Sequence, residues 1–222
     1  MLDAKLDAIP TEMERVFQQI KTKIAEGEFL PGERLTEQYL SDTLETSRYT
    51  VKLALTKLEE IGVVKQTPYK GYVVSRISLE ESVELLKARG LIEGLIGSIS
   101  AQKITDKEIS ELEKILFEMN KAIRETNYDE YSKLNTQFHN VIYRSTKNAS
   151  LADIAMRLKM RIIRYQYKIS YIPGRADTSI REHEEIFKAL KLHNSELSGK
   201  LMTDHVNSVL QSILSNYNLM VI

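Results

Sequence analysis

The sequence predicts a mostly α protein in two parts, an N-terminal winged helix-turn-helix domain over 1–76 and an all-α antiparallel six-helix bundle over 77–222. Three observations carry this. The 222 residues exceed the usual single-domain size and leave room for two cores. Apolar residues recur at helical spacing along most of the chain, interrupted by one hairpin-like stretch near 63–75. Beyond Ile77, segment after segment opens on Ser, Thr or Asn followed three residues later by an acid, the pattern of a helix capping box.

From Glu12 to Glu26, the residues Met13, Val16, Phe17, Ile20 and Ile24 form a helical stripe that Gly27 ends. After the turn Gly27-Glu28-Phe29-Leu30-Pro31-Gly32, Thr36 caps a short helix carrying Leu40 and Leu44. Ser47 caps a third helix whose buried stripe is Val51, Ala54, Leu55, Leu58 and Ile61, leaving Arg48, Tyr49, Lys52 and Thr56 on the other face. Val63–Gln66 and Tyr72–Ser75 then read as strands joined through a basic tip at Lys70-Gly71. In the second part, Ser78/Glu81, Thr105/Glu108, Asn127/Glu130, Ser150/Asp153 and Ser179/Glu182 open helices near 79–101, 106–125, 128–146, 151–171 and 180–193. A sixth helix covers 196–217, and Pro173-Gly174 separates the fourth from the fifth.

Composition narrows the class. Apolar residues make up 42% and charged residues 28%, a globular balance without a disordered tether. The first residues lack a basic stretch followed by an apolar core, and no segment has the roughly 18 uncharged residues that span a bilayer. The expectation is a cytoplasmic protein with no membrane partner. Cysteine is absent, so any metal must be held by nitrogen or oxygen. The net charge is zero, which is unusual for a protein that grips DNA, but charge is local: between Thr46 and Arg76 six cations face only Glu59 and Glu60.

In helix-turn-helix proteins the second helix of the motif enters the major groove, its first turns reaching base edges while flanking cations hold phosphates. The helix after Ser47 fits that role. Arg48 and Lys52 share a face, and an arginine there can donate two bonds to guanine. Ser47, Tyr49, Arg34 and the wing tip Lys70-Gly71 complete the candidate DNA-binding set. One such helix per chain predicts a homodimer on a palindromic double-stranded operator. The stretches Gly27–Leu35 and Ser47–Val64 resemble the signature of the GntR superfamily of transcription regulators. That resemblance implies that Arg34, Arg48, Lys52 and Gly71 occupy family DNA-contacting positions. Lys52 departs from the family's usual arginine and cannot make the planar forked contact.

Four histidines occur, His139, His183, His193 and His205. Asn135 and His139 are four apart on one helix face, and His183 and His205 can face each other across consecutive helices. His193, at a helix end, reads as an ordinary polar residue. This half of the chain resembles the FCD ligand-binding domain of FadR-like regulators, in the shorter six-helix branch, through Arg89-Gly90-Leu91-Ile92-Glu93, Asn135–His139, Glu182-His183 and Asp204-His205. The resemblance implies a divalent metal on Asn135, His139, His183 and His205, and an inward-facing Arg89 that binds a small organic acid effector. Imidazole donors suit zinc, nickel, copper or iron, and an oxygen ligand with open positions is also compatible with manganese; zinc or nickel is the expectation. Asparagine stands where the family commonly has aspartate, which predicts a loosely held ion with its charge uncompensated; the alternative is that no metal binds and the histidines hold the anion directly. A regulator, a repressor rather than an enzyme, is the reading. A metal-dependent enzyme or a non-DNA ligand sensor is the alternative, with little support: His183-Glu184-Glu185-Ile186-Phe187 lacks the second histidine of a zinc-protease helix.

Overall fold

The structure, a computed structural model, describes residues 11–69, 71–162, 169 and 171–220. The chain divides into two compact units, Met1–Arg76 and Ile77–Ile222.

In the first unit α1 (Glu12–Glu26) is capped by Thr11, whose hydroxyl accepts from the Glu14 amide, and ends at Gly27 in the left-handed conformation. Helix α2 (Glu37–Thr43) is capped by Thr36 and α3 (Arg48–Glu60) by Ser47. Val51, Ala54, Leu55 and Leu58 of α3 are buried with Val16, Ile20 and Ile24 of α1 and Leu40 of α2, so one apolar stripe from each helix builds the core. Strands β2 (Val64–Thr67) and β3 (Gly71–Val74) form the expected hairpin, shifted by one residue. The sequence reading missed β1 (Arg34–Leu35), which pairs antiparallel with β3, Arg34 opposite Val73, giving the sheet order β1-β3-β2.

Among the described residues of the second unit, six helices follow: α4 (Leu79–Lys103), α5 (Asp106–Arg124), α6 (Tyr128–Ser145), α7 (Ala149–Arg161), α8 (Arg175–Lys191) and α9 (Ser195–Met220). Together with the first unit this is the mostly α winged helix-turn-helix and helical bundle expected. Two starts need correction. Asn148, not Ser150, caps α7, its side chain accepting from the Leu151 amide. Helix α8 begins directly after Gly174, a turn before Ser179, because Gly174 takes the left-handed conformation and releases the chain into the helix. Glu182 therefore lies inside α8 and is free for tertiary work. The predicted continuation of the fourth helix beyond Arg161 falls largely on residues 163–168 and 170, outside the described residues.

The most extensive helix pair is α4 with α9. Its closeness rests on glycine: a Cβ at Gly97 would lie 2.6 Å from the Ser198 carbonyl oxygen, whereas one at Gly90 would meet nothing nearer than 3.8 Å. The same substitution should thus act oppositely two turns apart. Gly90→Ala is expected to gain about 0.5–1 kcal/mol from helix propensity, while Gly97→Ala, which forces backbone apart, loses about 1–3 kcal/mol. Urea denaturation of both variants checks the pair.

Candidate functional site

In the first unit the Ser47 hydroxyl is spent on the helix, accepting from the Thr50 amide at 3.0 Å. That cap fixes the start of α3 and leaves Arg48, Tyr49 and Lys52 exposed on its first turns, with Tyr49 71% exposed. The Thr56 and Tyr72 hydroxyls meet at 3.0 Å, and the Glu59 carboxylate accepts from the Gln66 amide at 2.7 Å, so α3 is tied to the hairpin beside it. Gly71 is exposed, with φ +71° and open space around it, as a wing tip needs for close backbone approach. Lys70 lies outside the described residues. Arg34, exposed on β1, lines an open groove with Gly32, Lys65, Thr67 and Arg76. Lys65 and Arg76 are groove cations that no motif singled out, although the local charge bias contained them.

In the second unit α6, α8 and α9 bring His139, His183 and His205 together. One ring nitrogen from each lies within 4.8 Å of the others, and all three residues are buried. His193 stands apart, its Nδ1 2.8 Å from the Ala101 carbonyl oxygen. The Nε2 atoms of His139 and His183 approach to 3.4 Å, close to the roughly 3.3 Å that two nitrogens bound tetrahedrally to one zinc would show.

What orients the rings was hidden in the sequence. His139 Nδ1 lies 3.2 Å from the Glu93 carboxylate on α4. His205 Nδ1 donates to Glu182 on α8 at 2.7 Å. With Nδ1 turned to a carboxylate, each imidazole presents a lone pair on Nε2, the arrangement by which outer carboxylates prepare histidine ligands. Burial, then the charge of Lys159, pushes the His139 pKa down to about 3. Burial also lowers His183 and His205, in the latter case against the pull of Glu182. The three rings are therefore neutral near pH 7 and competent as ligands. Asn135 lines the adjoining cavity, and its buried Oδ1 has no hydrogen-bond partner among the described residues. An orphaned carbonyl beside three lone-pair nitrogens fits a divalent cation. Glu93 and Glu182 stand behind two of the ligands, but each is already paired with a buried arginine, Arg89 and Arg175, so they orient the rings without leaving net negative charge for the ion.

Arg89 is buried and already engaged. Its Nε donates to Glu93, which also accepts from the Tyr143 hydroxyl at 2.7 Å. Burial alone would raise the Glu93 pKa, but Arg89 and then His139 outweigh it and hold the carboxylate ionised. Arg89 Nη1 remains without a partner among the described residues and borders a cavity of about 30 Å³ lined also by Tyr131, Asn135, Lys159, Arg175 and His205.

The neutral cluster has a cost in acid. With folded pKa values depressed, the metal-free protein carries its full stability above the unfolded histidine value, near 6.5, and loses it as pH falls below that. There the unfolded chain binds protons that the folded cluster refuses. The expected slope reaches about 1.4 kcal/mol per pH unit for each histidine. Urea titrations of chelator-treated protein at pH 8, 6.5 and 5 would test it; a flat profile contradicts the buried neutral assignment.

A winged helix-turn-helix unit followed by a helical bundle with a buried histidine cluster is the build of a DNA-binding transcription regulator. Comparison with known proteins agrees. Residues 84–208 match the FCD domain and residues 12–74 the "Bacterial regulatory proteins, gntR family". The chain belongs to the GntR family of regulators, in the branch that carries an FCD domain. It is 29% identical over 209 residues to the uncharacterised HTH-type transcriptional regulator YdhC of Bacillus subtilis strain 168, covering 93% of each chain. To the HTH-type transcriptional repressor RspR of Escherichia coli K12 it is 24% identical over 212 residues, covering 96% of this chain and 93% of the relative. The fold matches Escherichia coli McbR/YncC with a TM-score of 0.80 at 19% identity, over 93% of this chain and 97% of that one. These relatives are regulators, not enzymes, and no helix among the described residues is long and apolar enough to cross a membrane.

Proposed function

We propose that this regulator is a cytoplasmic repressor that binds a palindromic operator as a homodimer and is released by a small carboxylate bound beside a metal in the FCD domain. The observation that carries the reading is the cavity, lined also by His205 of the cluster, on which an Arg89 N–H and the Asn135 carbonyl lie without a hydrogen-bond partner among the described residues. His139, His183 and His205, with Asn135, would hold a divalent ion, zinc or nickel by donor type. When bound, that ion supplies a positively charged coordination position for a carboxylate oxygen. Arg89 then orients the anion through a charge-assisted hydrogen bond while Glu93 fixes the guanidinium. Direct capture of an anion by the histidines is disfavoured by their neutrality.

On the DNA side, Arg48 reads base edges. Arg34, Lys52, Lys70 and Gly71 meet the backbone, with Ser47 and Tyr49 at the mouth of the groove. A relative that carries the name repressor supports that sign of control. The test is elemental analysis of protein purified without chelator or nickel resin, followed by operator titrations with and without organic acids. A metal-free protein that still answers an acid sinks the metal part, and an operator affinity that no acid alters sinks effector control.

A further inference from the structure

Among the described residues, five that are not glycine take a positive φ: Glu45, Tyr69, Thr126, Lys147 and His193. Four of them stand two places beyond the last residue of a helix, after α2, α5, α6 and α8, where a left-handed residue closes the final turn. Tyr69, at φ +65°, has no helix to close. It lies in the loop between Thr67 and Gly71, the last paired residues of the β2–β3 hairpin. A bulky side chain in that conformation costs free energy where glycine would not. Nothing inside the fold offsets the cost: Tyr69 is fully exposed and makes no hydrogen bond or ring contact among the described residues. A single exposed aromatic is ordinary. One held outward in a strained conformation points to a partner outside the chain.

The hairpin tip that carries Tyr69 is anchored. Pro68 fixes its own φ immediately before it. The rung below the tip, Gln66 opposite Tyr72, is tied to α3 from both strands: the Glu59 carboxylate accepts from the Gln66 amide at 2.7 Å, and the Thr56 and Tyr72 hydroxyls meet at 3.0 Å. Tyr69 therefore stands at a fixed reach from the helix that presents Arg48. No acidic residue occurs from Ile61 to Arg76, so nothing in the hairpin repels a phosphate backbone. With α3 in the major groove, a hairpin braced along its flank crosses one phosphate strand, and its tip arrives at the neighbouring minor groove.

We infer that Tyr69 is a specificity-determining residue for DNA: its ring enters the minor groove beside the half-site that α3 reads and acts as a wedge at a flexible pyrimidine–purine step. The minor groove offers little hydrogen-bond information, and apolar side chains act there by partly unstacking a step, which costs least where the step is soft. The flank is thus selected by deformability, while Arg48 selects the centre of the half-site by base edges.

Selection from a pool of double-stranded DNA carrying a randomised stretch, run with the full-length protein and with Tyr69→Gly, tests the wedge. Glycine suits the left-handed position, so the variant should melt no lower than its parent, which separates a lost contact from a lost fold. The parent is expected to enrich TA or CA steps at one fixed distance outside the half-site, and Tyr69→Gly to enrich the same half-site with random flanks. On the parent's selected DNA, Tyr69→Gly should bind about tenfold or more weaker and reduce the bend measured by circular-permutation electrophoresis. Tyr69→Phe, which keeps the ring, should retain both. Unchanged flanks and bend in Tyr69→Gly, or a parent without flank preference, overturns the wedge and leaves base reading by α3 standing. Loss of flank preference in Tyr69→Phe as well assigns the effect to the hydroxyl and overturns it too. A parent that selects no DNA removes both readings.

Discussion

Arg48→Ala is expected to lower specific operator affinity by about two to four orders of magnitude while barely changing binding to unrelated DNA. A bidentate arginine–guanine contact is worth about 1–3 kcal/mol, and a dimer on a palindrome loses it twice. The geometry favours that role for Arg48 over a solvated surface charge. Ser47 caps the helix that carries it, and the Thr56–Tyr72 and Glu59–Gln66 bonds brace that helix against the wing, so the side chain leaves a rigid first turn. Rigid placement distinguishes a base reader from a charge that only attracts. Lys52→Ala, one turn on, should instead weaken binding to all sequences alike and reduce the salt slope by about one per subunit. Titrations at several salt concentrations on operator and scrambled DNA separate the two. If Arg48→Ala keeps the ratio of specific to nonspecific binding, the proposed base contact is wrong.

The fold was legible where its causes are local. Stripes such as Val16, Ile20 and Ile24, and caps such as Thr36, Ser47, Ser78 and Thr105, depend on neighbours within one helical turn, and the structure shows each of those caps accepting its amide. Strand β1 was not legible, because two residues carry no periodicity and become a strand only through pairing with β3. Helix α8 was misread because Ser179 and Glu182 imitate a capping box, while the effective signal was the left-handed Gly174. The histidines stood out because they are rare. Their supports did not, since charged residues are taken as exposed by default and only the tertiary fold reveals which are buried. Glu93 follows Arg89 by four positions, the spacing of any surface ion pair, yet both are almost fully buried.

That burial makes Glu93 the residue whose loss should be felt most in the bundle. It accepts from Arg89 and from Tyr143 and stands 3.2 Å from His139 Nδ1, so a single carboxylate balances the cavity arginine and orients a candidate metal ligand. Glu93→Gln keeps the shape but removes the charge, leaving Arg89 as an uncompensated buried cation, a change that costs about 3–5 kcal/mol. The sign with pH follows from the depressed Glu93 pKa: the contribution is whole above the unfolded glutamate value near 4.3 and fades as pH falls below it. The gap between variant and parent should therefore be full at pH 7 and close in acid. Metal affinity should also drop about 10–100-fold, the usual effect of losing a carboxylate behind a histidine ligand. Stability and metal binding can be separated by removing both charges at once. In Arg89→Met with Glu93→Met no buried ion is left unpaired, so stability should largely return, while metal affinity stays low and the carboxylate response is lost. A Glu93→Gln protein as stable as its parent at pH 7, with an unchanged metal titration, would show that neither Arg89 nor His139 depends on this carboxylate.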